Sequence, residues 1–408
     1  MKPFFQVKTS SELLEIIKTF PLLDQERISL IEGLNRVLGE DILSPEDLPH
    51  FPRASMDGFA LRARDTFGAS EAVPALLTLS GEIAMGQDMK VPVEPGHCFR
   101  IATGGMVPPG ADAVAMIEHS QPLDQQTIEI FKPVSPLDHV IQVGEDIKKG
   151  ETILPAGRRL RPQDLGLLAG LGIRDIPVYT IPKVAVISTG DEIVPIEDRP
   201  DPGFIRDINS LTIMSLAKEA WAVPEFLGRT KDHFADLKSQ CQKGLDKADL
   251  ILISGGSSVG SRDFTVEVIH SFADAEILAH GVSISPGKPT ILARIGRKIL
   301  WGLPGHTVSA MIVFSLFVKP CLNHLAGEKE ARPISKIKAR LIRNIASAQG
   351  REDYVRVALH CGEAGWEAFP ILGKSGLIST MVRADGMIQI EQHCEGLEKG
   401  EEVEVWLF

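Results

Sequence analysis

The sequence predicts a multidomain α/β plus β protein. A central doubly wound, mostly parallel sheet is joined by a β-rich inserted domain, a mixed N-terminal and linker domain, and a small C-terminal β-barrel. Three observations predict this. The chain has 408 residues, which at ~150 residues per domain gives about two to four domains. From 183 to 325, short apolar runs alternate with helical stretches, the rhythm of βαβ crossovers and of strands buried on both faces. Glycine and proline, at 37 and 27 residues, divide the flanking regions into short strands and tight turns.

Taken in order, Leu13, Leu14, Ile17 and Phe20 share one face of a helix over 10 to 20, with Ser10 or Ser11 as its cap. Residues 51 to 139 form the β-rich unit, as the spacing of Val91, Val93, Pro95 and Gly96 illustrates. Helix returns over 155 to 173, where Pro162 suits a first turn and Leu165, Leu168 and Leu171 follow. Strands are expected at Val184–Ser188, Glu225–Gly228, Leu250–Ser254, Glu276–Ala279, Thr290–Arg294 and Ile299–Gly302, and helices near 210–220, 233–246, 263–273 and 307–324. From about 330 the chain returns to short strands, which suit a small β-barrel or a sandwich, ending where Val403, Val405 and Leu407 alternate with polar neighbours. The expected domains are 1–50 with 140–178, then 51–139, 179–327 and 328–408.

The formal net charge of −11 excludes a basic footprint for nucleic acid, so an anionic substrate needs a local site. Five cysteines without a CxxC spacing exclude a zinc or dithiol motif and suit a reducing cytoplasm. Glu12 and Glu15 interrupt the apolar stretch that a secretion signal requires. Residues 299 to 318 carry no charge and reach membrane-span length, but Pro304 and Gly305 divide them into strand, turn and helix. A soluble cytoplasmic protein without membrane contact is expected.

In an open parallel sheet, ligands bind beyond the carboxyl ends of the strands. Those loops carry Thr189-Gly190-Asp191-Glu192, then Gly255-Gly256-Ser257-Ser258-Val259-Gly260-Ser261-Arg262-Asp263, then Pro286-Gly287-Lys288-Pro289, and Leu303-Pro304-Gly305-His306. They offer carboxylates, free amides and one cation. Gly255, Gly256 and Gly260 alone favour tight packing over phosphate binding, and no P-loop or dinucleotide fingerprint is present. Four such loops at one edge favour a site. Elsewhere, Asp57 lies in the turn Ala54-Ser55-Met56-Asp57-Gly58-Phe59-Ala60, and Asp146 precedes Lys148 and Lys149. Met56, Trp221 and Trp301 read as packing residues.

Eight motifs in order then suggest a family: SMDGFA (55–60), RIATGGMVPPGADAVAMIE (100–118), VGEDIKKGETILPAG (143–157), LGLLAGLGI (165–173), VAVISTGDEIV (184–194), SGGSSVGSRDF (254–264), PGKPT (286–290) and GLPGHTVSA (302–310). Together they closely resemble MoeA, the molybdopterin molybdenumtransferases related to the gephyrin E domain. The resemblance covers about residue 10 to 408. It implies an elongated homodimer with an intersubunit active site and a central molybdopterin-binding domain similar to molybdopterin adenylyltransferase (MogA-like). The implied reaction converts adenylylated molybdopterin and molybdate, or tungstate, into molybdenum cofactor and AMP, with Mg2+.

By motif position, the resemblance puts catalytic roles on Asp57, Thr103, Asp146, Glu192, Asp232 and Asp263. Substrate binding falls on Gly190, Gly255, Gly256, Ser257, Gly260, Lys288, Pro304 and Gly305, and metal binding on Glu192 and Asp263. Contact with molybdopterin adenylyltransferase is a further expectation. The chain departs from the family at Phe59 and Phe264, which replace tyrosines, at Arg206-Asp207-Ile208-Asn209, and at His306-Thr307. Adenylyl transfer by the α/β domain itself, or a gephyrin-like scaffold without catalysis, are the alternatives.

Overall fold

The computed structural model describes residues 7–255, 264–329, 334–363 and 365–408. It divides into two compact units: the chain through Gly39 with Ala156–Arg161 and Asp175–Phe408, and Glu40–Pro155 with Pro162–Arg174.

The first unit is built on a six-stranded sheet in the order Val223–Thr230, Lys183–Thr189, Leu250–Ser254, Lys298–Leu303, Ile291–Ile295, Ala275–His280. Its first three pairings are parallel and its last two antiparallel. The antiparallel edge follows from chain length: Gly296 and Arg297 alone separate two strands, and two residues can close a hairpin but not a crossover. In the parallel part, alternate residues enter opposite cores. Val184, Val186, Leu250, Leu252 and Trp301 pack with Leu13, Ile17, Ile213, Val308 and Phe314. Ala185, Ile187, Ile251, Ile253 and Leu300 pack with Leu237, Cys241, Val268 and Ile269. Each fully buried Leu, Ile or Val contributes about 1.5–3 kcal/mol relative to exposure.

The first helix, Ser10–Ile17, stops three residues short of the expected 10 to 20, and its cap is the residue before Ser10 rather than Ser10 or Ser11. Thr9 caps it: its hydroxyl accepts from Glu12 N at 3.2 Å, while Glu12 Oε2 accepts from Thr9 N at 2.8 Å. The segment from Thr307 to Leu325 is continuous helix, with a π turn over Phe314–Val318 just before Pro320. Proline supplies no N–H to its own turn and crowds the carbonyl four residues back, which accounts for the widened turn. This helix is long and apolar enough to cross a membrane by composition, yet Val308, Ile312, Val313, Phe317 and Leu322 lie in the core.

Beyond 334, five strands close into the expected small barrel. Glu352–Gly362 pairs with Gly365–Pro370, which pairs with Lys336–Leu341, then Glu402–Leu407, then Gly386–Ile390, which returns to Glu352–Gly362. Val403 and Val405 point into its core while Glu402 and Glu404 are exposed, as the alternation predicts.

The second unit holds another six-stranded sheet, in the order Ala113–Met116, Gly58–Leu61, His97–Ile101, Ala75–Ile83, Thr127–Ile130, Ser120–Pro122, and the helix Pro162–Gly170.

Several packing expectations need correction. Trp301 is fully buried, but Trp221 is 49 % exposed, because it follows the end of the helix Asn209–Glu219 with a φ of 59° that turns the chain outward. Met56 is 41 % exposed: it lies in the turn between Arg53–Ala54 and Gly58–Leu61 and reaches no core. Cys98, Cys241 and Cys321 are buried, and burial pushes each thiol up to about 12. Cys361 is exposed, while Cys394, half-buried, packs against the core of the C-terminal strands.

Candidate active site

Register sets the carboxyl ends of four strands in a row. Thr189 lies opposite Thr230, Ser188 opposite Ser254, and Ser254 opposite Leu303. Ile291 pairs with Gly302 in the antiparallel sense, so the turn ahead of Ile291 reaches the same edge. That turn carries Lys288, whose carbonyl accepts from Val282 N at 3.0 Å and Thr290 N at 2.9 Å. These bonds fix its backbone while the residue stays exposed. Lys288 makes no ion pair among the described residues.

The acids gather at the corner of the first two strands. Thr189 Oγ1 donates to Asp232 Oδ1 at 2.7 Å, and Asp232 N donates to Asp191 Oδ1 at 3.3 Å. Gly190 N donates to Thr230 O at 3.2 Å, tying the two loops through their backbones. Glu192 belongs to the same corner: its Oε2 would stand 2.8 Å from a Cβ placed on Gly190. The resemblance gives roles to Glu192 and Asp232 but none to Asp191 or Thr189. The signal for Thr189 was weak, because a strand-terminal threonine is usually explained by β propensity.

Gly255 is where strand exits touch. Its N donates to Leu303 O at 3.4 Å, and a Cβ there would stand 2.1 Å from Thr189 O, with φ at 107° besides. Only glycine fits both the approach and the dihedral. A Cβ on Gly305 would lie 3.8 Å from Gly255 Cα, so the Pro304–Gly305 turn adjoins the same point. The structure thus brings together Gly190, Glu192, Asp232, Gly255, Pro304 and Gly305. Gly256, Ser257, Gly260 and Asp263 lie outside the described residues.

In the second unit, Asp57 Oδ1 accepts from both Thr103 N at 2.6 Å and Thr103 Oγ1 at 2.7 Å. These two bonds, the backbone one first, hold the Asp57 carboxyl below its ordinary value of 3.8. The following glycine has a packing reason: a Cβ on Gly58 would stand 1.9 Å from Ala115 O on the adjacent strand. Asp146 is exposed, its N donating to Leu48 O at 3.1 Å, and no hydrogen bond joins its carboxylate to Asp57 or Thr103.

Chemically, the sheet edge offers hard carboxylate oxygens, backbone amides and one lysine, the set that holds phosphate and a hard divalent cation. Among the described residues, no group of three His, Cys, Asp or Glu side chains forms a metal cage.

Residues 8–172 match the MoeA N-terminal region (domain I and II), 185–324 a probable molybdopterin binding domain, and 338–408 the MoeA C-terminal region (domain IV). A putative molybdopterin biosynthesis protein of Methanocaldococcus jannaschii is 36 % identical over 410 residues, covering 98 % of this chain and 97 % of that protein. The molybdopterin molybdenumtransferase of Haemophilus influenzae is 32 % identical over 382 residues, 93 % of each. A crystal structure of the MoeA molybdopterin biosynthesis protein from Pyrococcus horikoshii superposes with a TM-score of 0.85 at 33 % identity, covering 99 % of this chain and 100 % of that one. With relatives above 30 % identity along nearly its whole length and MoeA regions matched at both ends, the chain belongs to the MoeA family, the molybdopterin molybdenumtransferases of molybdenum cofactor biosynthesis.

Proposed function

We propose that this enzyme transfers molybdenum from molybdate, or tungsten from tungstate, to adenylylated molybdopterin, releasing AMP and the metal-loaded cofactor. The observation that carries the reading is the convergence of Glu192, Asp232, Gly255 and Pro304–Gly305 at one sheet edge. Cleaving a phosphoanhydride beside an incoming oxyanion needs positioning and charge neutralisation more than a protein nucleophile. Lys288 fits a phosphate anchor, because its side chain is exposed and makes no ion pair among the described residues, while its backbone is fixed. Gly255 lets backbone approach an anion closely. Asp57 stays ionised under Thr103 and offers Oδ2 to a cation or a proton.

Mg2+ suits this set. It binds through one or two carboxylates plus substrate phosphates and rarely needs an all-protein cage, and Glu192 and Asp232 supply such oxygens at one corner; Asp263 joins them by family resemblance. When bound, the cation would offset charge on the phosphoanhydride and the leaving AMP. Gly256, Ser257 and Gly260 are assigned to the phosphates, and Thr103 and Asp146 to the catalytic group, on the same resemblance. The enzyme works in the cytoplasm as a homodimer in which residues of one chain act with those of the other, and receives its substrate from molybdopterin adenylyltransferase.

Incubation of purified protein with adenylylated molybdopterin, Mg2+ and molybdate or tungstate tests the reading, with AMP release as the readout. Oxyanion-dependent AMP release is expected. ATP consumption with unloaded molybdopterin would move the activity to adenylyl transfer, and binding without either reaction would make the protein a scaffold.

A further inference from the structure

Asn209 has no role in the reading above, yet it holds two parts of the site together. It opens the helix Asn209–Glu219 and is 9 % exposed. Its Nδ2 donates to Ser254 Oγ at 2.7 Å and to the Gly305 carbonyl at 2.8 Å. Three segments distant in sequence therefore meet on one amide: a helix start, the residue that ends the strand Leu250–Ser254, and the turn between Pro304 and His306.

Chemistry fixes the amide's orientation. Reversing it would set Oδ1 against the Gly305 carbonyl oxygen, placing two acceptors face to face. In the orientation present, Asn209 Oδ1 is buried and has no hydrogen-bond partner among the described residues. A buried acceptor left unbonded costs stability, so the residue is held by its two donations in spite of that cost. Ile213 and Ala217 of the same helix already pack in the core beside the sheet, so attachment of the helix does not require the amide. What the amide adds is a set separation between Ser254, which precedes Gly255, and the Pro304–Gly305 turn.

We infer that Asn209 is a positioning residue for the transfer reaction, fixing the strand exit at Ser254–Gly255 against the Pro304–Gly305 turn before substrate arrives. Its kinetic consequence rests on the proposed reaction, while its geometric basis does not. Rigid placement matters because displacement of a binding element by about 1 Å costs up to roughly 100-fold in rate.

Three variants in the full-length protein test this. Asn209→Ala deletes both bonds, Asn209→Asp keeps the shape but sets an oxygen against Gly305 O, and Ser254→Ala removes one bond only. With adenylylated molybdopterin, Mg2+ and molybdate, the two Asn209 variants lower kcat by about 10- to 100-fold and change KM by less than about threefold, assayed well below Tm. Ser254→Ala loses less than about fivefold, because the Gly305 bond remains. Hydrogen exchange, which needs no turnover, becomes faster in Asn209→Ala over 251–255 and 303–308. Wild-type kcat in Asn209→Ala with a lowered Tm would assign the residue to packing and overturn the inference. Unchanged exchange in both segments would overturn it as well. If the wild-type protein releases no AMP, the transfer reading fails, and exchange alone still decides for or against Asn209.

Discussion

At the scale of single residues, the Asp57–Thr103 pair shows how one turn sets a charge. The backbone N–H of Thr103 is the larger cause of the lowered carboxyl and the hydroxyl the smaller. Thr103→Val keeps the first and removes the second, so the Asp57 value rises only part of the way back toward 3.8, readable by NMR titration of the carboxyl carbon. A full return would mean that the hydroxyl, not the amide, holds the charge. The folded value is depressed, so its contribution to stability is present above the unfolded value and is lost as pH falls through the folded one; above pH 5 the pair contributes no pH dependence to folding. Lys288→Ala tests a second residue: a phosphate anchor acts in ground and transition states alike, so KM for the adenylylated substrate rises about tenfold with kcat nearly unchanged. A fall in kcat at constant KM would place the lysine in the chemical step. Both residues were legible as motif members, yet the bond between Asp57 and Thr103 was not, since 46 positions separate them and no periodicity links two turns.

At the scale of elements, the strand Leu250–Ser254 shows a readable pattern at its simplest. Its five consecutive buried residues serve two cores, Leu252 one and Ile251 the other. Leu252→Ala and Ile251→Ala are each expected to cost about 2–5 kcal/mol in denaturant unfolding despite pointing to opposite faces. The last strand behaves differently: Val405→Ala is expected in the same range, whereas Glu404→Ala, on the exposed side and beside Lys336 and Lys338, leaves the unfolding midpoint nearly unchanged. Equal costs at Val405 and Glu404 would mean the barrel face is misassigned. Continuous apolar runs and strict alternation were both visible in sequence. The antiparallel sense of the last strands is not carried by that pattern: the apolar runs at Glu276–Ala279, Thr290–Arg294 and Ile299–Gly302 follow one another without a helix, and only the pairings of Ala275 with Ile295 and of Ile291 with Gly302 give their direction.

At the scale of the whole molecule, the proposed homodimer makes a prediction that no single chain can show. If residues of one chain act with those of its partner, refolding an equal mixture of inactive Asp57→Ala and Asp232→Ala chains gives half mixed dimers, each with one intact site. About a quarter of all sites then work if pairing is statistical. Activity no higher than either parent, in a sample shown by mass analysis to contain mixed dimers, would place the whole site within one chain. Motif order determined the family, and periodicity the α/β core and the C-terminal barrel, because apolar spacing dictates which face is buried and each motif lies within a single loop. Tertiary structure alone decided the contacts between loops: Thr189 on Asp232, the Gly255 approach to Thr189 O, and Asn209 between Ser254 and Gly305. Those pairs are set by sheet register, which joins residues remote in the chain and leaves no local pattern to read.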